Sequence, residues 1–493
     1  MMSTNFNLEK TGHENVDLVA SLVDKGNTEE AMANDARFTK FTPEQQRKII
    51  RHIDLRLVIP LGVLYCASLM DRTNLSSAAI AGMLDDLKLT VHDRYSLISW
   101  IFFIPYVLFQ PLATVVIRKI GPRTFLSVIV VCWGATVIGF GFCSNWETMM
   151  GLRVILGVLE AGFFPGCAYL LSTWYPRYDL QKRNAGFFII GSTASAFSGI
   201  LAYGLEQMAG QAGLPGWRWI FIMEGIITCI AGMFGYFLIV DFPELAAKSW
   251  RFLTPAESEF VIARIEIDRR DAIPQPFTIA AYLQNAFDAK IWGFAWLYML
   301  ATTNTYAIAY FLPIILRYGM GFSIAAALCL TAPPYVAAAI VMYCQAVIGD
   351  QFHIRGPLVI FNSVIGLIGL PLLGFATNNG VRYFGAFLAT ICGSANVPAL
   401  LTYQANNVRG QWKRAFSSAT LVGFGGIGGI IGTTIFREQD SPTYRPGIEG
   451  TLAANGLSIV IVLAMSLAFY RANKRADAGD VVIEHQKGFR YTL

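Results

Sequence analysis

The chain has 493 residues, of which 54% are hydrophobic and only 14% charged, with a mean hydropathy of +0.48. A soluble globular protein carries about 25% charged residues, so this composition excludes that class and places the chain among multi-spanning membrane proteins. The formal net charge of +5 is small for the length and argues against a nucleic-acid partner. All eight cysteines lie in or beside apolar runs without a C-x-x-C pair, so they read as packing residues, with no disulfide framework or metal site.

Residues 1–40 are rich in Asn, Glu, Asp, Thr and Lys and lack apolar periodicity, which predicts a disordered tail. The first 50 residues hold no apolar segment of the secretory type, so the first apolar run is expected to act as an uncleaved anchor. Thr42-Pro43-Glu44-Gln45 supplies an N-cap, a proline at the first helical position and a glutamine at the third, predicting a short amphipathic helix through Arg51. Twelve apolar runs follow, centred on 56–79, 95–117, 124–143, 148–172, 184–207, 219–240, 291–315, 324–348, 357–376, 381–404, 415–436 and 451–471. Each is long enough for a helix to cross the hydrocarbon layer, which takes about 20 residues.

A polar stretch at 242–288 divides the runs six and six. Within it, Thr254-Pro255-Ala256-Glu257 is a second capping box, followed by a charged pattern that predicts a surface helix. The expected organisation is a cytoplasmic tail with a short helix (1–50), a six-helix half (51–241), a cytoplasmic central loop (242–288), a second six-helix half (289–472) and a cytoplasmic tail (473–493). This all-α integral membrane plan resembles the major facilitator fold, in which two pseudo-symmetric halves rock about a central site. Lys and Arg cluster in the 2–3, 4–5 and 10–11 loops, which puts both termini and the central loop in the cytoplasm. The 1–2 loop, with Lys88 and Arg94, is a mild exception, offset by Asp85, Asp86 and Asp93.

The fourth run holds Arg153 and Glu160, each costing roughly 2.5–3.5 kcal/mol at a helix centre on insertion scales. Their spacing of seven residues is two helical turns and puts both on one face, while Gly157, Ala161 and Gly162 admit a close neighbour. The first run carries Asp71-Arg72-Thr73-Asn74, with Asp71 about 22 Å along the helix from Arg56. These are two acid–base pairs at overlapping depth, although Asp71 and Arg72 also fit loop residues at the outer interface. A buried carboxylate can sit near neutrality and carry a proton, whereas an arginine stays charged and offers a planar fork to a carboxylate. Asp71 and Glu160 are therefore expected to carry protons, and Arg72 or Arg153 to engage an anionic substrate or gate the coupling.

The second half has no mid-span charge. Its polar candidates are Asn304, Tyr306 and Tyr310 in the seventh run, Gln345 in the eighth, and Asn396 and Gln404 in the tenth. Tyr306 and Tyr310 share a face and fit ring stacking or a carboxylate, with ordinary interhelical hydrogen bonding as the plainer reading. Asn74 joins them as a pocket candidate and also opens the sequon Asn74-Leu75-Ser76. The glycines at 423, 425, 426, 428, 429 and 432 predict close packing of the eleventh helix rather than a phosphate loop. No histidine falls within a run and no His/carboxylate constellation forms at one depth, so an enzyme is not expected, and no cofactor is implied.

DRTNLSSAAIAG in the first run, RVILGVLEAGFFPG in the fourth and STWYPRYDLQKRNAGFF after it resemble the anion:cation symporter family of the major facilitators. GWRWIFIMEGIIT, PELAAKSWRFLTPAE, NNVRGQWKRAFSSA, DSPTYRPG and the closing GFRYTL resemble its fungal allantoate permease branch. The resemblance implies a monomeric plasma-membrane carrier that moves a small organic anion with protons, with relatives acting on allantoate, nicotinate, pantothenate, biotin or small peptides. It makes Asp71 and Glu160 the proton-coupling pair and ties Arg72 and Arg153 to the anion. The superfamily's 2–3 loop motif is reduced to VVIRKIGPR without its Asp, and its counterpart between helices 8 and 9 is reduced to the stretch Gly349–Gly356. The fifth run lacks the Gly-Gly-Pro pattern of drug/proton antiporters, which favours import over the alternative of exporting a secondary metabolite. A non-transporting nutrient sensor is the remaining alternative.

Overall fold

The structure is a computed structural model that describes residues 40–493 apart from 92, 176, 249–251, 270–278, 353, 410, 438–439, 441–442 and 486–488. The expected disordered tail, 1–40, lies almost wholly outside the described residues. All regular structure among the described residues is helical. The first half comprises α1 (Pro43–Ala78, extended by Ala79–Met83 and Leu84–Asp86), α2 (Arg94–Ile101 and Phe103–Ile120), α3 (Pro122–Phe140), α4 (Trp146–Glu160 and Phe163–Trp174), α5 (Arg177–Glu206) and α6 (Gly216–Leu238). The second comprises α7 (Ala289–Ile314, extended by Ile315–Gly319), α8 (Ile324–Cys329 and Ala332–Phe352), α9 (Gly356–Phe375), α10 (Asn379–Asn407), α11 (Gln411–Ile435) and α12 (Arg445–Asp477). Eleven of these twelve are long and apolar enough by composition to cross a membrane, and α5, at 30 residues, has the length.

Both capping boxes form. Gln45 N–H donates to Thr42 Oγ1 at 3.4 Å while Thr42 N–H donates to Gln45 Oε1 at 2.9 Å, and Thr254 and Glu257 repeat the exchange at the start of the surface helix Pro255–Arg269. The segment from Pro43 does not end at Arg51, which corrects the expectation of a separate short helix. No breaker stands between Arg51 and the first apolar run, and Ile49, Ile53, Leu57, Leu61 and Leu64 form one buried stripe at helical spacing. The near end of α1 docks on the connecting segment, with Phe41 edge-on to Phe260 at 5.7 Å and His52 stacked on Phe252 at 5.6 Å.

The fourth helix is also not continuous. It breaks between Glu160 and Phe163, where a Cβ at Gly162 would lie 2.7 Å from both Ala113 and Phe125. Gly157 brings the backbone against α2, since a Cβ there would fall 2.4 Å from the Phe102 carbonyl, so the small residues of this helix admit a close neighbour.

The two halves meet along α1–α7, α2–α11 and α5–α8. The last two seams exchange under the pseudo-two-fold and both are glycine-lined. A Cβ at Gly426 would reach within 2.1 Å of Val107 and one at Gly429 within 2.5 Å of Phe103, while one at Gly199 would lie 2.2 Å from Thr331 Oγ1. Of the other α11 glycines, 425, 428 and 432 face Tyr298, Thr302 and Thr303 of α7, while Gly423 borders open space. The close-packing reading of α11 therefore holds, and it serves two neighbours at once.

At the end of the bundle away from Pro43 the halves are closed by polar contacts. Tyr95 O–H donates to the Tyr310 carbonyl at 3.1 Å, Ser76 O–H to the Ala309 carbonyl at 3.2 Å, and Tyr95 packs edge-on against Phe311 at 5.6 Å.

Candidate functional site

Asp71 and Arg72 are helical and buried, not interfacial loop residues, because they continue the stripe that runs through Leu64 and Ser68. Arg153 and Glu160 likewise share a buried face of α4 with Met149 and Leu156. All four lie inside the first half, at 3%, 7%, 0% and 1% exposure respectively.

The pairing is crossed. Glu160 Oε1 accepts from Arg72 Nε at 2.9 Å and Arg72 Nη2 at 2.6 Å, and also from the Ser68 hydroxyl. The remaining nitrogen, Arg72 Nη1, donates to Tyr306 O–H of α7 at 2.9 Å and so crosses to the other half. The guanidinium lies against a stacked pair of rings, its Cζ 4.9 Å from the Tyr106 centroid and 5.4 Å from that of Phe102, with the two centroids 5.3 Å apart. Phe103 packs edge-on to Tyr306 at 4.8 Å, which fixes the phenol that receives Arg72.

Asp71 points away from its sequence neighbour. Its Oδ2 accepts from the Trp133 indole N–H of α3 at 3.0 Å, and Trp133 is held edge-on by Phe163 at 5.1 Å. Arg153 sits with its Cζ 5.3 Å from the Phe140 ring, and none of its three nitrogens has a hydrogen-bond partner. It lies close enough to Asp71 to act on it electrostatically. The neighbouring-pair picture, Asp71 with Arg72 and Arg153 with Glu160, is thus replaced by one ion pair across α1 and α4 and one looser group. Seven residues along a helix is about 10 Å, so Arg153 and Glu160 share a face but not a layer.

The second-half candidates separate. Tyr306 belongs to the site. Tyr310 is buried next to it, ring centroids 6.4 Å apart, with its hydroxyl unpartnered. Asn304 instead bonds Asn455 of α12 at 3.3 Å, and Gln345 and Asn396 both bond Asn362 of α9, at 2.6 and 3.1 Å. Those amides tie helices of one half together. Gln404 bonds Ser417 of α11 at 2.5 Å, again within the half. Asn74 is fully buried with neither amide atom bonded, so it has no room for a glycan and the sequon is not an acceptor site in this fold.

One buried charge escapes the sequence reading altogether. Glu224 of α6 is 2% exposed, with both carboxyl oxygens lacking a hydrogen-bond partner, and the like charge of Asp71 acts on it. The signal that marks Arg153 and Glu160, a charge inside an apolar run, marks Glu224 just as well.

The Major Facilitator Superfamily profile matches residues 61–433. The chain is 31% identical over 450 residues to the major facilitator-type transporter hxnP of Emericella nidulans, covering 88% of each chain. It is 30% identical over 452 residues to the MFS-type transporter cnsO of Penicillium expansum, covering 90% of this chain and 87% of that one. It is 28% identical over 433 residues to the high-affinity nicotinic acid transporter of Saccharomyces cerevisiae, covering 88% and 80%. Among solved structures, the fold is shared with a bacterial homologue of the human lysosomal transporter Spinster, inward-facing and occupied, at a TM-score of 0.62 and 13% identity, covering 86% of this chain and 97% of that one.

Proposed function

The chain belongs to the Major Facilitator Superfamily and is a multi-pass secondary transporter of small molecules; we propose that it imports a small organic anion together with protons. The observation that carries this reading is the Arg72–Glu160 pair with its third arm on Tyr306. Arg72 is a fork of donors suited to a carboxylate, and Glu160 occupies it. A proton on Glu160 weakens that hold and releases the fork to a substrate carboxylate. Proton and anion then bind together for a stated electrostatic reason, and Tyr306 relays the event to the second half. Arg153, whose nitrogens are unpartnered, is the second anion-binding candidate, and Asp71 the second proton carrier.

The relative that carries nicotinic acid supports a carboxylated aromatic or similarly small anion, and the sequence motifs support the anion:cation symporter family and its allantoate permease branch. Basic loops support cytoplasmic termini, the polar stretch at 242–288 supports halves at 51–241 and 289–472, and the family resemblance supports a plasma-membrane carrier that works as a monomer. In a permease-deficient host, radiolabelled uptake over carboxylated vitamins, ureides and dipeptides should find an anion whose accumulation rises as external pH falls. Glu160→Gln should abolish that accumulation and leave substrate exchange measurable. Accumulation unchanged in this variant overturns the reading.

A further inference from the structure

The buried ionisable side chains of the first half are three carboxylates, Asp71, Glu160 and Glu224, and two guanidinium groups, Arg72 and Arg153, among the described residues. With every group ionised the interior would hold one uncompensated negative charge. In a low-dielectric interior such a carboxylate takes up a proton instead of staying charged. Which of the three holds it follows from their donors.

Glu160 accepts three hydrogen bonds, two of them from a cation, so its ionised form is stabilised. Asp71 accepts one, from the Trp133 indole, and has Arg153 within electrostatic range. Glu224 accepts none on either oxygen. The helix that carries it packs against α1, α3 and α5. From α1 it meets the Asp71 carboxylate, a like charge; α3 contributes the Trp133 indole, already given to Asp71; α5 meets α6 at Gly216 through Glu206, two turns away from Glu224. The thiol of Cys229 lies on α6 itself. Among the described residues, the one charged group that acts on Glu224 is Asp71.

We propose that Glu224 is a third member of the proton-handling machinery, holding a proton on its carboxyl group in the closed-end conformation while Asp71 and Glu160 are ionised. The carrier without substrate then already contains one bound proton. Arrival of an anion at the arginines adds a negative charge that a further proton, on Glu160, offsets. This rests on the reading of Asp71 and Glu160 as proton carriers, but its test reads the proton itself and needs no substrate.

Infrared difference spectroscopy of the full-length protein in proteoliposomes at neutral pH, in H2O and D2O, tests it. A carbonyl stretching band of a buried protonated carboxyl, shifted by deuteration, is expected in the wild type. It should be lost in Glu224→Gln and persist, displaced, in Glu224→Asp, which keeps the acid and guards against a folding artefact. A band that survives Glu224→Gln, or one that keeps its position in Glu224→Asp, overturns the assignment. Failure of the proton-coupled reading would appear separately, as accumulation in the uptake assay that does not respond to external pH.

Discussion

At the residue scale, Arg72 does three things that a lysine cannot do together. It gives two nitrogens to Glu160 and one to Tyr306, and it packs against the stacked rings of Phe102 and Tyr106. An ammonium is a point charge without a planar fork. Arg72→Lys should therefore lower uptake at least tenfold although the formal charge is unchanged, as initial-rate measurements on variants matched for surface expression would show. Tyr306→Phe removes a single acceptor at the edge of the same group. A net hydrogen bond is worth about 0.5–1.5 kcal/mol, so its uptake should fall about two- to tenfold, well short of the lysine variant. Asp71, Arg72, Arg153 and Glu160 were all legible from charge inside apolar sequence. Their partners were not, because depth and azimuth on separate helices decide the pairing, and a seven-residue spacing says only that two groups share a face.

At the scale of elements, the glycines of α11 divide between two neighbours. The 425–428–432 set lies on α7, while 426 and 429 lie on α2 and form one of the three seams between halves. A methyl group at 426 has nowhere to go, and overpacking costs about 1–3 kcal/mol. Gly426→Ala should lower the thermal stability of the purified protein and slow transport, whereas Gly423→Ala, with open space around it, should leave both near wild type. The glycine cluster itself announced close packing, but not that its faces serve different halves. The break in α4 was equally hidden. An apolar run looks continuous from Thr148 to Ser172, whereas the helix is interrupted at Ala161 and Gly162, where Ala113 and Phe125 approach Gly162 closely.

At the scale of the whole molecule, polar groups are unequally shared. The first half holds the buried charges of the site, and the second offers buried amides that mostly bond within it. The chain's closing segment adds a second ionic group. Glu484 lies between Lys290 and Lys413, Lys413 also reaches Asp288 at 2.6 Å, and Tyr491 stacks on Phe469 of α12 at 4.5 Å. Main-chain groups of Tyr491 and Thr492 bond Asn473 and Asn407, so the segment straps α10 to α12. Partial burial raises the pKa of Glu484, but hydrogen bonds and charge from the two lysines outweigh this and hold it below the ordinary carboxylate value. A depressed carboxylate stabilises the fold above its unfolded pKa and loses that contribution as pH falls through its folded pKa. Glu484→Gln should therefore melt below the wild type at neutral pH, and the difference should close in acid; a gap independent of pH would contradict the ionic role. The motif GFRYTL was visible in the sequence, but its docking was not, since it depends on asparagines more than 15 residues away.

The long first helix makes the connecting segment a lever. From Pro43 to Arg72 is 29 residues, or about 44 Å of continuous helix, with Pro60 inside it. One end is gripped by Phe252 and Phe260 and the other ends in the guanidinium that holds Glu160. A force applied to the surface helix, such as a clamping antibody fragment on residues 255–269, would be felt at the ion pair without touching it.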